Sequence, residues 1–183
     1  MRSSGASWFT ILPVAFAAVA PAAAQATVYM SVEQAQKAAF PGMTFVDRSI
    51  TFTPAQRKAI AKASGTGNFG KTQRIWEARN GNGRTGWFIL DQVLGKHDSI
   101  TYAVALSPDG VVKRIEILEY RETYGGEVRN AAWRQQFVGK HFGSQLKLGT
   151  DIKNISGATL SSRHITDGVR RLLIMYQMLL RNG

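Results

Sequence analysis

Cysteine is absent from the 183 residues. That excludes disulfides, thiolate-ligated iron–sulfur clusters and c-type haem attachment, so any redox role needs a cofactor held by other chemistry. Histidine is scarce too: His97, His141 and His164 are the only three, no pair has a metal-ligand spacing, and no metal site is expected. No Gly-x-Ser-x-Gly nucleophile motif occurs, and no pair of carboxylates stands out from ordinary surface acids, so no catalytic residue is assigned. Acidic residues are the minority, 12 against 23 Lys and Arg, for a formal net charge of +11. Such an excess attracts phosphates, anionic lipid surfaces or acidic protein partners.

Long apolar runs are also lacking, with one exception at the N-terminus. Arg2 precedes an apolar stretch from Trp8 to Ala20, and Pro21-Ala22-Ala23-Ala24-Gln25-Ala26 supplies small residues after it. This is the charge, apolar core and cleavage site of a secretory signal, expected over residues 1–26; the alternative is an uncleaved membrane anchor, for which the Pro13-broken run is short. What remains, 27–183, has the length of one domain, and 44% hydrophobic residues suffice for its core. Export places the chain in the periplasm or another extracytoplasmic space. Nucleic acid is therefore not an expected partner, and no recognition motif of the common modules is present.

Two capping boxes open helices, Ser31-Val32-Glu33-Gln34 and Thr53-Pro54-Ala55-Gln56, the second with Pro at the first helical position. The glycine-rich segment 65–72 has the spacing of a phosphate-binding loop, yet a helix precedes it and a strand follows, the reverse of what such a loop requires. It reads as a connection. Alternation then marks strands over 73–78, 85–94, 100–106 and 111–120, separated by turns at Asn80-Gly81-Asn82-Gly83, Gly95-Lys96-His97-Asp98 and Ser107-Pro108-Asp109-Gly110. A helix carrying Trp133 and Phe137 follows, and a last one from about Ser162 presents Ile165, Val169, Leu172, Tyr176 and Leu180 in a stripe. The expected fold is α+β: a twisted, mainly antiparallel sheet with helices packed on one side, in a single domain after the signal sequence.

Just before that last helix stands Ser156-Gly157-Ala158-Thr159-Leu160-Ser161-Ser162. Small residues expose the backbone beside one hydroxyl, and Ser161 or Ser162 is the expected N-cap. Unpaired N–H groups and the positive end of the helix dipole welcome an anion there. His164 either approaches such an anion or sits in solvent.

These residues resemble the flavinylation motif of the FMN-binding domain shared by subunits of sodium-pumping NADH:quinone oxidoreductase, its electron-transport relatives and many exported single-domain proteins. A second block, Glu122-Thr123-Tyr124-Gly125-Gly126-Glu127 followed by Trp133, Phe137, Gly139 and Lys140, is similar to that family's Glu-Thr-Pro-Gly loop and Trp helix. The resemblance is strongest over 85–180. Lys153 stands where an acidic residue is usual, and Tyr124 where Pro is usual.

The resemblance implies FMN esterified through its phosphate to Thr159 by a separate flavin transferase, with Ser156, Gly157, Ala158, Leu160 and Ser161 around the attachment point. It implies Glu122, Thr123 and Tyr124 against the flavin and Trp133 behind it; the basic side chains of Lys153 and Arg163, read by their charge alone, would offset the phosphate. The implied function is electron carriage by an exported flavoprotein between membrane or extracytoplasmic redox proteins, with no enzymatic turnover of its own. The alternative is a non-redox periplasmic docking module on the same scaffold without covalent flavin.

Overall fold

Four apolar/polar alternations within 72–120 pair in sequence order to make the centre of the sheet: β4 Thr72–Asn80, β5 Gly83–Leu94, β6 Ser99–Leu106 and β7 Val112–Tyr120, all antiparallel. A computed structural model describes residues 27–81, 83–122 and 125–182. The expected signal sequence and the candidate residues Thr123 and Tyr124 lie outside the described residues.

Short strands extend the sheet at both edges: β1 Thr27–Val28 pairs with β7, while β2 Thr44–Asp47 and β3 Ile50–Thr51 both pair with β4. Helices α1 Val32–Ala39 and α2 Pro54–Ser64 both start with complete capping boxes, from Ser31 with Gln34 and from Thr53 with Gln56. Helix α3, Ala131–Gln135, is short and capped by the Asn130 side chain. Helix α4, Thr159–Leu179, is the longest element among the described residues. Among the described residues no helix is long and apolar enough to cross a membrane.

One sheet face carries the main core. Ile75, Trp87, Ile89, Tyr102, Val104, Ile115 and Ile117 meet Ile60 of α2, Trp133 of α3 and Ile165, Val169, Leu172 and Tyr176 of α4. Each fully buried side chain of this size is worth about 1.5–3 kcal/mol. The arrangement is the expected α+β sheet with its principal helices on one side. The short α1 adds a smaller cluster on the other face, where Ala35 and Phe40 pack with Phe88, Ala103, Ala105 and Leu118.

A polar group sits inside the main core. The inward alternation Trp87, Ile89 of β5 continues to Asp91, which pairs in register with Tyr102 of β6. The Tyr102 hydroxyl donates to Asp91 Oδ2 at 2.5 Å, and Arg171 of α4 forms a buried ion pair with the same oxygen. Burial raises the Asp91 pKa, while the Arg171 guanidinium and the Tyr102 hydroxyl pull it back down. Gly168, one turn earlier on α4, leaves room for Tyr102: a Cβ there would collide with its hydroxyl. Together these contacts fix the rotation and height of α4 on the sheet.

Removing one member of a buried ion pair leaves the other charge uncompensated, a loss of roughly 3–5 kcal/mol. Asp91→Ala is expected to lower the unfolding free energy by about that much in a urea titration, and a change below ~1 kcal/mol would contradict the role assigned to the pair.

Candidate functional site

The antiparallel meander brings two loops to one end of the sheet: the 95–98 turn between β5 and β6, and the segment leaving β7, since Ile100 pairs with Tyr120. The N-terminus of α4 meets both. Lys96, His97, Glu122, Gly157, Ala158, Thr159, Leu160 and Ser161 line a cleft of about 540 Å³ between them. Five of the residues expected around an attachment point, and Glu122 from the second block, are thus brought together; Ser156 is exposed beside the cleft but does not line it.

Helix α4 starts at Thr159, three residues before the sequence pattern suggests. Its N-cap is Ala158, with no side-chain cap, so the expected capping by Ser161 or Ser162 is not what forms. Both serines lie within the first turn instead. Ser161 is buried, its hydroxyl 3.1 Å from that of Tyr120, and Ser162 is fully buried, with its N–H bonded to the Ala158 carbonyl at 2.9 Å. The first-turn N–H groups are left without a capping side chain at the cleft, and Thr159 is exposed among them.

Close packing holds this end in place. Gly125 adopts φ +92, and a Cβ there would meet the Tyr120 hydroxyl and, at 3.1 Å, the Ala158 Cβ. The glycine of the second block is therefore what lets its loop press against buried Ala158. From behind, Trp133 Nε1 donates to the Lys153 carbonyl at 2.8 Å, and the Lys153 N–H donates to Gln136 Oε1 at 2.8 Å. Further back, Asp151 accepts from the N–H groups of Leu146 (3.0 Å) and Lys147 (2.7 Å) and pairs with Lys140 (3.0 Å). Asp151, the acid nearest the motif, orders the loop rather than facing the cleft.

Glu122 has a definite partner set. Its Oε1 accepts from the N–H groups of His97 at 2.5 Å and Asp98 at 3.0 Å, tying the β5–β6 turn to the end of β7. Burial alone would raise its pKa, but the N–H donors of Asp98, His97 and Lys96 outweigh it and hold the carboxylate below the ordinary Glu value. The helix bearing Trp133 is capped by Asn130 and not by Glu122. His164 turns away from the cleft and bonds the Leu94 carbonyl through Nδ1. Lys153 and Arg163 are exposed. Among the described residues no three His, Asp or Glu side chains assemble into a metal site.

Sequence reasoning missed Lys96 and His97 as cleft residues. Counting strands could have found them, because an antiparallel meander puts alternate turns at one end. It also missed Asn154, whose Nδ2 donates to Thr159 Oγ1 at 3.0 Å.

The FMN-binding domain family matches residues 95–174, the span that holds every element of this cleft. The match covers less than half of the chain and indicates FMN as the cofactor. The chain is 32% identical over 94 residues to one of the subunits of the Na(+)-translocating ferredoxin:NAD(+) oxidoreductase complex of Acetobacterium woodii, covering 46% of this chain and 45% of that protein. It thus spans about half the length of the curated relative it matches. The crystal structure of Shewanella oneidensis NqrC aligns over 55% of this chain and 54% of its own, at 18% identity and a TM-score of 0.45.

The residues of the cleft suit such a group. An uncapped helix N-terminus and Lys96 answer a phosphate, exposed Leu160 answers an apolar ring, and about 540 Å³ is within the size range of small-ligand sites.

Because the folded pKa of Glu122 is depressed, its tie to the 95–98 turn is at full strength above the unfolded carboxylate value and is lost as pH falls through the lower folded one. In an NMR titration the His97 and Asp98 amide signals are expected to move together in that acid range, and to stay still in Glu122→Gln. Invariant signals in the parent protein would contradict the tie.

Proposed function

We propose that this protein is an extracytoplasmic electron carrier that holds FMN as a phosphoester on Thr159. The observation that carries this is selective exposure. Of the motif's hydroxyls, Ser161 and Ser162 are buried and Ser156, though exposed, does not line the cleft, while Thr159 is exposed in it at an uncapped helix N-terminus.

Each neighbour has a task. First-turn N–H groups of α4 and the Lys96 ammonium offset the phosphate charge, while Gly157 and Ala158 keep bulky side chains away from the backbone beside it. Leu160, 41% exposed, offers apolar surface for the flavin. Glu122 holds the cleft wall through its bonds to His97 and Asp98. Bound flavin supplies one- and two-electron transfer, chemistry that no side chain of this cysteine-free protein provides.

Thr159 does not activate itself. The polar side chain that bonds its hydroxyl is the Asn154 amide, which is no base; the Glu122 carboxylate is occupied by backbone N–H groups, and His164 is bonded to Leu94. Attachment therefore belongs to a separate flavin transferase, of which this chain is the substrate. Covalent retention is useful outside the cytoplasm, where dilute free FMN would leave a weakly bound site empty. Membrane redox proteins are the natural electron partners, by analogy with the ferredoxin:NAD(+) oxidoreductase complex to which the relative belongs. An excess of 23 basic over 12 acidic residues favours acidic docking faces on them.

Protein co-expressed with a flavin transferase is expected to be yellow, to fluoresce in a denaturing gel and to gain the mass of one FMN ester, whereas Thr159→Val is expected to remain colourless. Equal labelling of Thr159→Val, or an unmodified parent protein, would contradict the attachment.

A further inference from the structure

The hydroxyl of Thr159 has a side-chain hydrogen-bond partner. Asn154 Nδ2 donates to its Oγ1 at 3.0 Å, and Asn154 itself follows a residue pinned at both backbone polar atoms: the Lys153 carbonyl accepts from Trp133 Nε1 and the Lys153 N–H donates to Gln136 Oε1, each at 2.8 Å. A line of hydrogen bonds thus runs from α3, part of the second sequence block, to one side-chain oxygen at the start of α4. Asn154 is exposed, and the contact its side-chain amide makes is the hydrogen bond to Thr159.

We infer that Asn154 is a positioning residue for flavin attachment, holding Thr159 Oγ1 in the rotamer that faces the transferase; this rests on Thr159 being the attachment point. The amide N–H occupies one lone pair of Oγ1, which directs the hydroxyl proton and the second lone pair toward the cleft. In the attachment step the Oγ1–P bond forms as the bond from that phosphorus to the leaving group of an activated flavin phosphate breaks. The leaving group departs with the electron pair, and the hydroxyl proton passes to a base of the transferase. No oxidation or reduction occurs. After the step an ester oxygen is a poorer acceptor than an alcohol, and the same amide donor then serves the negatively charged phosphate oxygens. Trp133 contributes only through Lys153: the indole holds the loop from which Asn154 emerges.

The test measures initial rates of flavin incorporation into purified full chain by a flavin transferase, read by in-gel fluorescence, with thermal unfolding measured in parallel. Asn154→Ala is expected to lower the rate constant at saturating acceptor about tenfold, with little change in the half-saturating acceptor concentration and an unchanged unfolding temperature. Asn154→Asp is expected to fall further, because a carboxylate cannot donate and repels the incoming phosphate, while Asn154→Gln, which keeps the donor, recovers part of the rate. Labelling of Asn154→Ala at the parental rate would overturn the inference and leave attachment at Thr159 standing. So would a uniform loss in all three variants accompanied by a lower unfolding temperature, which is the mark of a merely structural residue. A parent protein that takes up no flavin would instead refute the attachment itself, and the inference with it.

Discussion

The seating of α4 on the sheet is the constraint from which the site follows. A long helix with a nearly continuous apolar stripe can slide or rotate by a residue at modest cost unless something polar fixes its register. Here the buried contact of Asp91 with Arg171 and Tyr102 supplies that register in the body of the helix, and Gly168 lets the Tyr102 hydroxyl come close. At the other end, Ser161 meets the Tyr120 hydroxyl and Ala158 meets Gly125. A buried ion pair is weak evidence for stability but a good device for specifying one arrangement. Its effect is to bring the first turn of α4, uncapped, to the same end of the sheet as the 95–98 turn and the segment after β7.

An uncapped N-terminus is normally a small liability, since a missing cap costs on the order of 1 kcal/mol. In this chain the motif places Ala158 at the cap position, although serines stand close by at 156, 161 and 162. Two of those serines are turned inward. The result is a helix end whose N–H groups remain available, beside an alcohol that stays exposed and oriented. Local stability is given up where an anion would be held, and the neighbouring loops compensate: Asp151 binds three donors of its own segment, and Glu122 binds two of the β5–β6 turn.

Much of this was legible in the sequence because it is written in local patterns. Both capping boxes form as spelled, the turns fall where Gly, Pro, Asn and Asp cluster, and period-two alternation delivers β4 to β7 in meander order. Asp91 continues the inward phase of Trp87 and Ile89 yet raised no expectation, since nothing local links it to Arg171 eighty positions away. The start of α4 was misjudged because serines are good caps in general; tertiary packing against Tyr120 overrode that preference. Lys96, His97 and Asn154 were hidden for a similar reason, as loops acquire meaning only when the topology decides which of them meet.

The central claim is that one alcohol, Thr159, carries the flavin. Trypsin cleaves after Lys153 and Arg163, so a single peptide, 154–163, contains Thr159 together with Ser156, Ser161 and Ser162. Tandem mass spectrometry of that peptide from protein matured with a flavin transferase is expected to place the mass of one esterified FMN on Thr159. Finding that mass on one of the serines, or only the unmodified peptide, would contradict the account.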